Sequence, residues 1–263
     1  MKSQIFAGVV FGVSAGFISY RLHFLSKSGA FAAACLGFVI FGLGGWQWTI
    51  PMLGFFLPAS ILSKFVQKRR SNIVALFEKD SKRDAMQVLV NGGIGGMLVI
   101  VSKFVFPEPV YLAYLGALSA VAADTWATEV GILSSNQPIL ITTLKKVETG
   151  TSGAVSITGT LGGFLGSVGI IFCGLPWESG SRVKYIVTIL LAGIFGSIVD
   201  SLLGALVQKQ YQCVQCYKTT ELEVHCDVPA RQVRGKKFIN NDVVNFCCSL
   251  TGLLTTLLMK III

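Results

Sequence analysis

Charge is what this sequence has least of. Only 13% of its 263 residues are Asp, Glu, Lys or Arg, where a soluble domain carries about 25%, and the mean hydropathy is +0.68. An ordinary water-soluble fold is excluded. Acids are scarcer than bases, 13 against 22. The net charge of +9 invites a nucleic-acid reading, but the basic residues fall between apolar runs rather than along one face, so no nucleic-acid partner is expected. Histidine is limited to His23 and His225, and neither supplies a plausible general base near the acids discussed below. No G-x-x-x-x-G-K-[ST] run occurs, which removes a Walker P-loop. The seven cysteines are odd in number and partly within apolar runs, which argues against a disulfide framework and for reduced thiols on a cytosolic side. No cleavable signal peptide is expected, because the first apolar run follows Lys2 at once without a small-residue cleavage site.

What is present is long apolar runs. Eight candidate spans lie at about 4–20, 29–46, 47–63, 86–106, 110–128, 153–173, 185–207 and 243–260, each near the roughly 20 residues of a bilayer crossing. The second and third are joined by almost nothing around Trp46-Gln47-Trp48, as a tight hairpin or a re-entrant pair, so the count is eight or seven. The expected fold is an all-α polytopic membrane bundle forming a single domain over 1–263. With eight spans, the polar loops 21–28, 64–85, 129–152 and 208–242 share one side. All 22 Lys and Arg lie in those loops except Lys2, Lys103, Arg182, Lys184 and Lys260. The positive-inside rule therefore puts the loops in the cytosol.

Few acids interrupt the apolar runs. Asp124 and Glu129 close the run Val110–Ala123 within Asp124-Thr125-Trp126-Ala127-Thr128-Glu129-Val130-Gly131, and Asp200 sits inside the seventh span. An ionised carboxylate there costs several kcal/mol unless paired, hydrogen-bonded or metal-bound. The Asp124–Gly131 stretch reads as a helix end that turns polar in several directions. A spacing of five sets its two acids about 140° apart on a regular helix, so they converge only if the helix unwinds near Gly131 or partners arrive from both sides. With Asp200 they would form an oxygen set of the kind Mg²⁺ prefers when it also holds phosphate.

Polar residues lead into the spans from the same side. Lys82-Arg83-Asp84 precedes Gln87 and Asn91-Gly92-Gly93, a stripe that should face the bundle. Gly150-Thr151-Ser152-Gly153 opens the sixth span, either as an anion site backed by Lys145 and Lys146 or as an ordinary glycine-rich start with Thr151 or Ser152 as N-cap. Asn241 and Asn245 share one face of the last span. In the last loop Cys213-x-x-Cys216 with His225-Cys226 resembles zinc spacing loosely; adjacent His and Cys rarely serve one metal well, and the stretch also reads as a short β-hairpin.

Several motifs, in order over roughly residues 83 to 245, resemble an integral-membrane family once known only as a domain of unknown function. They are Arg83-Asp84-x-x-Gln87 with Asn91-Gly92-Gly93, Ala123-Asp124-Thr125-Trp126-Ala127-Thr128-Glu129-x-Gly131, Gly150-Thr151-x-Gly153-x-Val155-Ser156, Gly196-Ser197-x-x-Asp200-Ser201-x-x-Gly204-Ala205 and Asn240-Asn241-Asp242-x-Val244-Asn245. That family includes the eukaryotic transmembrane protein 19 and the phytyl-phosphate kinase of plants and cyanobacteria. The resemblance implies phosphorylation of an isoprenyl monophosphate to its diphosphate by a nucleoside triphosphate, in an endomembrane or plastid envelope. On that reading Asp124, Glu129 and Asp200 hold Mg²⁺, and Lys145, Lys82 and Arg83 neutralise phosphates. Thr128, Thr151, Ser152 and Gly153 supply donors, and Asn91, Asn241 and Asn245 orient phosphates or acids. The rival from another class is a cation-coupled transporter using the same acids; a third is a non-enzymatic scaffold.

Overall fold

Apolar runs of bilayer-crossing length become helices. The computed structural model describes residues 2–77, 82–178 and 180–262. Its helices are α1 (Lys2–Arg21), α2 (Lys27–Val39), α3 (Trp46–Arg69), the short α4 (Ser71–Val74), α5 (Ala85–Val101), α6 (Pro107–Leu133), α7 (Ile157–Gly174), α8 (Arg182–Leu206) and α9 (Asn241–Ile262). Among the described residues, seven segments are long and apolar enough to cross a membrane. The remaining apolar helix, α5, has 17 residues, about 25 Å of rise. The chain is a polytopic helical membrane protein with the lower of the two expected span counts, since the fourth expected span, 86–106, is the shorter α5. Residues 78–81 of the expected Lys64–Asp84 loop lie outside the described residues.

Three boundaries differ from expectation for physical reasons. The turn between the second and third spans falls earlier than Trp46. A π-helical turn, Ile40–Gly44, continues α2, and Gly45 reverses the chain at φ +71°, a left-handed conformation that glycine adopts at little cost. The sixth span does not open at Gly150–Gly153. A short strand intervenes, and α7 starts at Ile157 with Ser156 as its cap, the hydroxyl oxygen accepting from Gly159 N at 3.0 Å. Most consequential, α6 runs unbroken through Asp124 and Glu129 to Leu133, so that stretch is helix interior rather than a helix end.

α6 is the hub, packing against α3, α5, α7, α8 and α9. Every residue from Ala113 to Ala123 is buried, and small side chains there let neighbours approach closely. Along α7, Gly162, Gly163 and Gly166 lie against the carbonyls of Trp126, Ala123 and Ala122, where an added Cβ would come within 2.6–2.9 Å of oxygen. Trp48, Tyr111 and Tyr114 pack face and edge at the start of α3 and α6. Pro51 inside α3 has no N–H to give the carbonyl of Gln47, and the Tyr111 hydroxyl donates to that carbonyl at 3.2 Å. In lipid such a freed carbonyl needs an internal partner.

Connections at one end of the bundle carry the small amount of sheet. β1 (Ile139–Leu140) pairs with β2 (Ala154–Val155). In the last loop β3 (Gln210–Gln212) lies between β4 (Thr219–Thr220) and β7 (Arg231–Arg234), and β5 (Val224–His225) pairs with β6 (Val228–Pro229). The expected single hairpin is thus a three-stranded sheet plus a hairpin.

Candidate functional site

A cavity of about 450 Å³ opens among the loop-side ends of α3, α5, α6, α7, α8 and α9. Asp124 from α6 and Asp200 from α8 meet in its wall, their carboxyl groups within hydrogen-bonding reach of each other. Asp200 Oδ2 is buried and accepts no hydrogen bond. Buried carboxylate oxygens are normally satisfied, so this one calls for a proton or a cation.

Glu129 points elsewhere, as the helical spacing of five requires. Its Oε1 accepts from the Ser63 hydroxyl of α3, and it faces Arg83. The partners therefore arrive from both sides of an intact helix. The three acids do not form one compact ligand set. Among the described residues the group of three or more His, Cys, Asp or Glu ligands that does so is elsewhere, in the last loop.

Arg83 is 8% exposed. Its backbone is pinned by N–H donation to Phe24 O at 3.0 Å and by its carbonyl accepting from Ser26 N at 3.0 Å. The guanidinium lies over the rings of Phe55 and Phe56 at 5.5 and 5.9 Å, an attraction of ring quadrupole and cation. Burial lowers its pKa to about 10 against the opposing pull of the Glu129 carboxylate, so it stays cationic near neutrality. Asp84 next to it does not enter the cavity lining; its carboxylate caps α5 by accepting from Gln87 N at 2.9 Å, and Gln87 Oε1 accepts in return from Asp84 N.

The Gly150–Gly153 segment lines the opposite wall as a turn rather than a helix N-terminus. Gly150 and Gly153 have φ +94° and +79°, and a Cβ at Gly153 would lie 2.6 Å from Ser201 O. Arg234 Nη2 fastens the turn by donating to Ser152 O at 2.8 Å and Gly204 O at 3.2 Å. Ser152 Oγ donates to Gln208 Oε1 at 2.7 Å, and Gln208 Nε2 donates to Glu221 Oε1 at 2.8 Å. Asn91, Thr128, Thr151, Asn241 and Asn245 also border the cavity. Lys82 and Lys145 do not: both are exposed and outside its lining. Sequence reasoning missed Ser63, Gln208 and Glu221. Ser63 is a polar residue near the end of an apolar helix and was open to notice; Gln208 and Glu221 reach the cavity only through the folding of the last loop.

A second, apolar pocket of about 80 Å³ lies between α1, α2, α3 and α5. It shares Arg83, Gln87 and Asn91 with the polar cavity.

Similar chains include an uncharacterized membrane protein of Methanocaldococcus jannaschii, 32% identical over 71% of this chain and 76% of that protein. Protein PGR of Arabidopsis thaliana is 30% identical over 96% of this chain and 95% of its own length. Protein VTE6, chloroplastic, of the same plant is 24% identical over 90% of this chain and 65% of its own length. No solved structure matches. Residues 10–253 match the family described as Integral membrane protein DUF92. That match covers the site-bearing helices from α3 to α9, and the chain belongs to this integral membrane family.

Proposed function

We propose that this protein is a membrane prenyl-monophosphate kinase, moving the terminal phosphoryl group of a nucleoside triphosphate to an isoprenyl monophosphate. The observation that carries the reading is the junction at Arg83, Gln87 and Asn91, where a polar cavity holding an acid pair meets an apolar pocket. An amphiphile with a phosphate head and a branched hydrocarbon tail fits such a junction: head beside the guanidinium, tail leaving between helices toward lipid. The motif resemblance to a family containing a phytyl-phosphate kinase supports the same chemistry. The Lys and Arg of the loops around the cavity mouth support a cytosolic orientation by the positive-inside rule, and nucleotide is available on that side.

Phosphoryl transfer asks a protein mainly for positioning and charge neutralisation. An oxygen of the lipid monophosphate forms the new bond to the γ-phosphorus as the bond to the bridging oxygen breaks, and nucleoside diphosphate leaves. The nucleophile is already an anion, so no general base is needed, in keeping with a chain of two histidines. Asp124 and Asp200, with the unsatisfied Oδ2, are hard oxygen donors fitting Mg²⁺ that also binds phosphate; when bound, Mg²⁺ supplies positive charge to the phosphates. Arg83 holds the lipid phosphate, and Glu129 with Ser63 fixes the guanidinium. The Thr149–Gly153 turn and Asn241 and Asn245 offer donors to the nucleotide.

The test uses purified protein in detergent with prenyl monophosphates, Mg²⁺ and ATP, CTP, GTP or UTP in turn. Diphosphate product that disappears in Asp124→Asn and Asp200→Asn while both variants remain monodisperse supports the kinase. Absence of product with every nucleotide, together with Mg²⁺-independent cation flux into liposomes, overturns it in favour of the carrier.

A further inference from the structure

Outside the cavity, the last loop brings together Cys213, Cys216, His225 and Cys226, whose ligating atoms all lie within 4.8 Å of one another. Two tight turns achieve this. After β3 the chain turns so that Gln215 N and Cys216 N both point at Cys213 Sγ, at 3.4 and 3.5 Å. Between β5 and β6 the two-residue turn Cys226-Asp227 has φ +54° and +60°, the paired left-handed conformation of a type I′ hairpin. That turn resolves the difficulty of adjacent ligands: His225 Nδ1 lies 3.2 Å from Cys226 Sγ and 3.5 Å from Cys216 Sγ, on one side of the hairpin. Tetrahedral zinc with Zn–S of about 2.3 Å sets ligand atoms roughly 3.5–4 Å apart. All three cysteines are free thiols.

The turns that carry the ligands leave neighbouring apolar side chains in the open. Val214, Tyr217 and Val224 are 54%, 73% and 58% exposed, and the strands β4, β5 and β6 are two residues each. Hairpins that short are marginal in water without a buried face, and structural zinc commonly replaces a missing core. We propose that Cys213, Cys216, His225 and Cys226 bind one structural Zn²⁺. A closed Cys₃His set leaves no open position for chemistry and favours Zn²⁺ over harder ions. The metal braces the loop that delivers Glu221 to the cavity. Thr220 Oγ1 and Glu221 N both donate to Leu76 O, at 2.7 and 2.9 Å, so the strand after the first turn is docked on the turn that follows α4.

The full chain, purified in detergent without chelator, is measured for bound metal by mass spectrometry. About one Zn²⁺ per chain is expected, falling to background in Cys216→Ser and in His225→Ala with an unchanged elution profile. Substitution with Co²⁺ should give thiolate-to-metal charge transfer and the intense visible bands of a tetrahedral site. If the variants aggregate, wild-type protein answers the question: a mercurial reagent should release zinc as the loop thiols react. Metal-free protein that takes up no Zn²⁺, zinc retained in both variants, or loop thiols fully reactive without zinc release would each overturn the assignment.

Discussion

The two ends of the bundle have openings of similar size and carry both signs of charge, yet only one of them looks like a site. At the loop-rich end the cavity is about 450 Å³; at the other, an opening of about 520 Å³ is bordered by Glu108, Glu178, Lys184 and Lys260. The far-end charges stand near solvent. Glu108 and Lys260 pair at 3.7 Å with side chains 86% and 42% exposed, where such a pair contributes little. The near-end acids come from helix interiors, meet one another, and leave a buried oxygen unsatisfied. Volume and charge are therefore poor guides in a membrane protein; what distinguishes the near end is charge confined where its desolvation must be offset.

The largest effect that sharpens this contrast is at the acid pair. Asp124→Asn or Asp200→Asn should cut kinase turnover by at least about 100-fold, the scale of losing a group that acts on transition-state charge. Two carboxylates held side by side repel in the absence of a cation. Each variant should therefore melt no lower than wild type without Mg²⁺, and should lose the stabilisation that Mg²⁺ gives. Reduced turnover accompanied by a collapsed melting temperature would instead mean that the pair is structural.

Next come Arg83 and its holder. Arg83→Met should raise the KM for lipid monophosphate by about 10–100-fold, as expected when a charged hydrogen bond worth roughly 1.5–3 kcal/mol is lost. Arg83→Lys keeps the charge but not the planar fork, and should recover only part of that loss. Glu129→Gln leaves a buried guanidinium without its countercharge and should both destabilise the protein and slow the proposed transfer. Ser63→Ala keeps that charge and removes a single hydroxyl, so its cost should be about 1 kcal/mol. Parallel kinetics and thermal melts check the order.

How much of this was legible in the sequence depends on distance along the chain. Spans and loops could be read because their signals are local: apolar run length and the placement of Lys and Arg. The acids could be picked out because charge in a span is costly. Their grouping could not be read from any one helix. A rigid α6 sends Asp124 toward α8 and Glu129 toward α3, and a linear pattern does not say which neighbours wait there. Lys145 appeared close to Gly150–Gly153, but the β1–β2 connection leaves it in the open. Glu221 had no local signal, since the docking of β4 and a hydrogen bond from Gln208 hold it at the cavity. The cysteines stand out in the sequence, but their spacing does not show the turn at Cys226-Asp227 that makes adjacent ligands usable.

A smaller effect separates packing from function along α7. A Cβ at Gly163 would lie 2.9 Å from Ala123 O, next to Asp124, whereas Gly169 has nothing within 4 Å of the same position. Gly163→Ala should cost about 1–3 kcal/mol through overpacking and lower turnover by displacing Asp124. Gly169→Ala should be neutral or stabilising by up to about 1 kcal/mol, because alanine restricts the unfolded chain and suits a helix. Equal effects at both positions would mean that α7 does not position the acid.

The smallest expected effect is the one most able to break the comparison between the ends. Glu108→Gln and Lys260→Met should leave turnover and Mg²⁺ dependence unchanged, with melting shifts too small to resolve at low or high salt, because an exposed pair is screened and entropically costly to hold. An enzyme fed by nucleotide and lipid from one side has no use for the far opening. A carrier does, since its substrate must leave by the opposite face. If neutralising Glu108 or Lys260 changed cation flux or the response of the acid pair to Mg²⁺, the two openings would belong to one pathway, and the one-sided chemistry proposed for Asp124 and Asp200 would give way to transport.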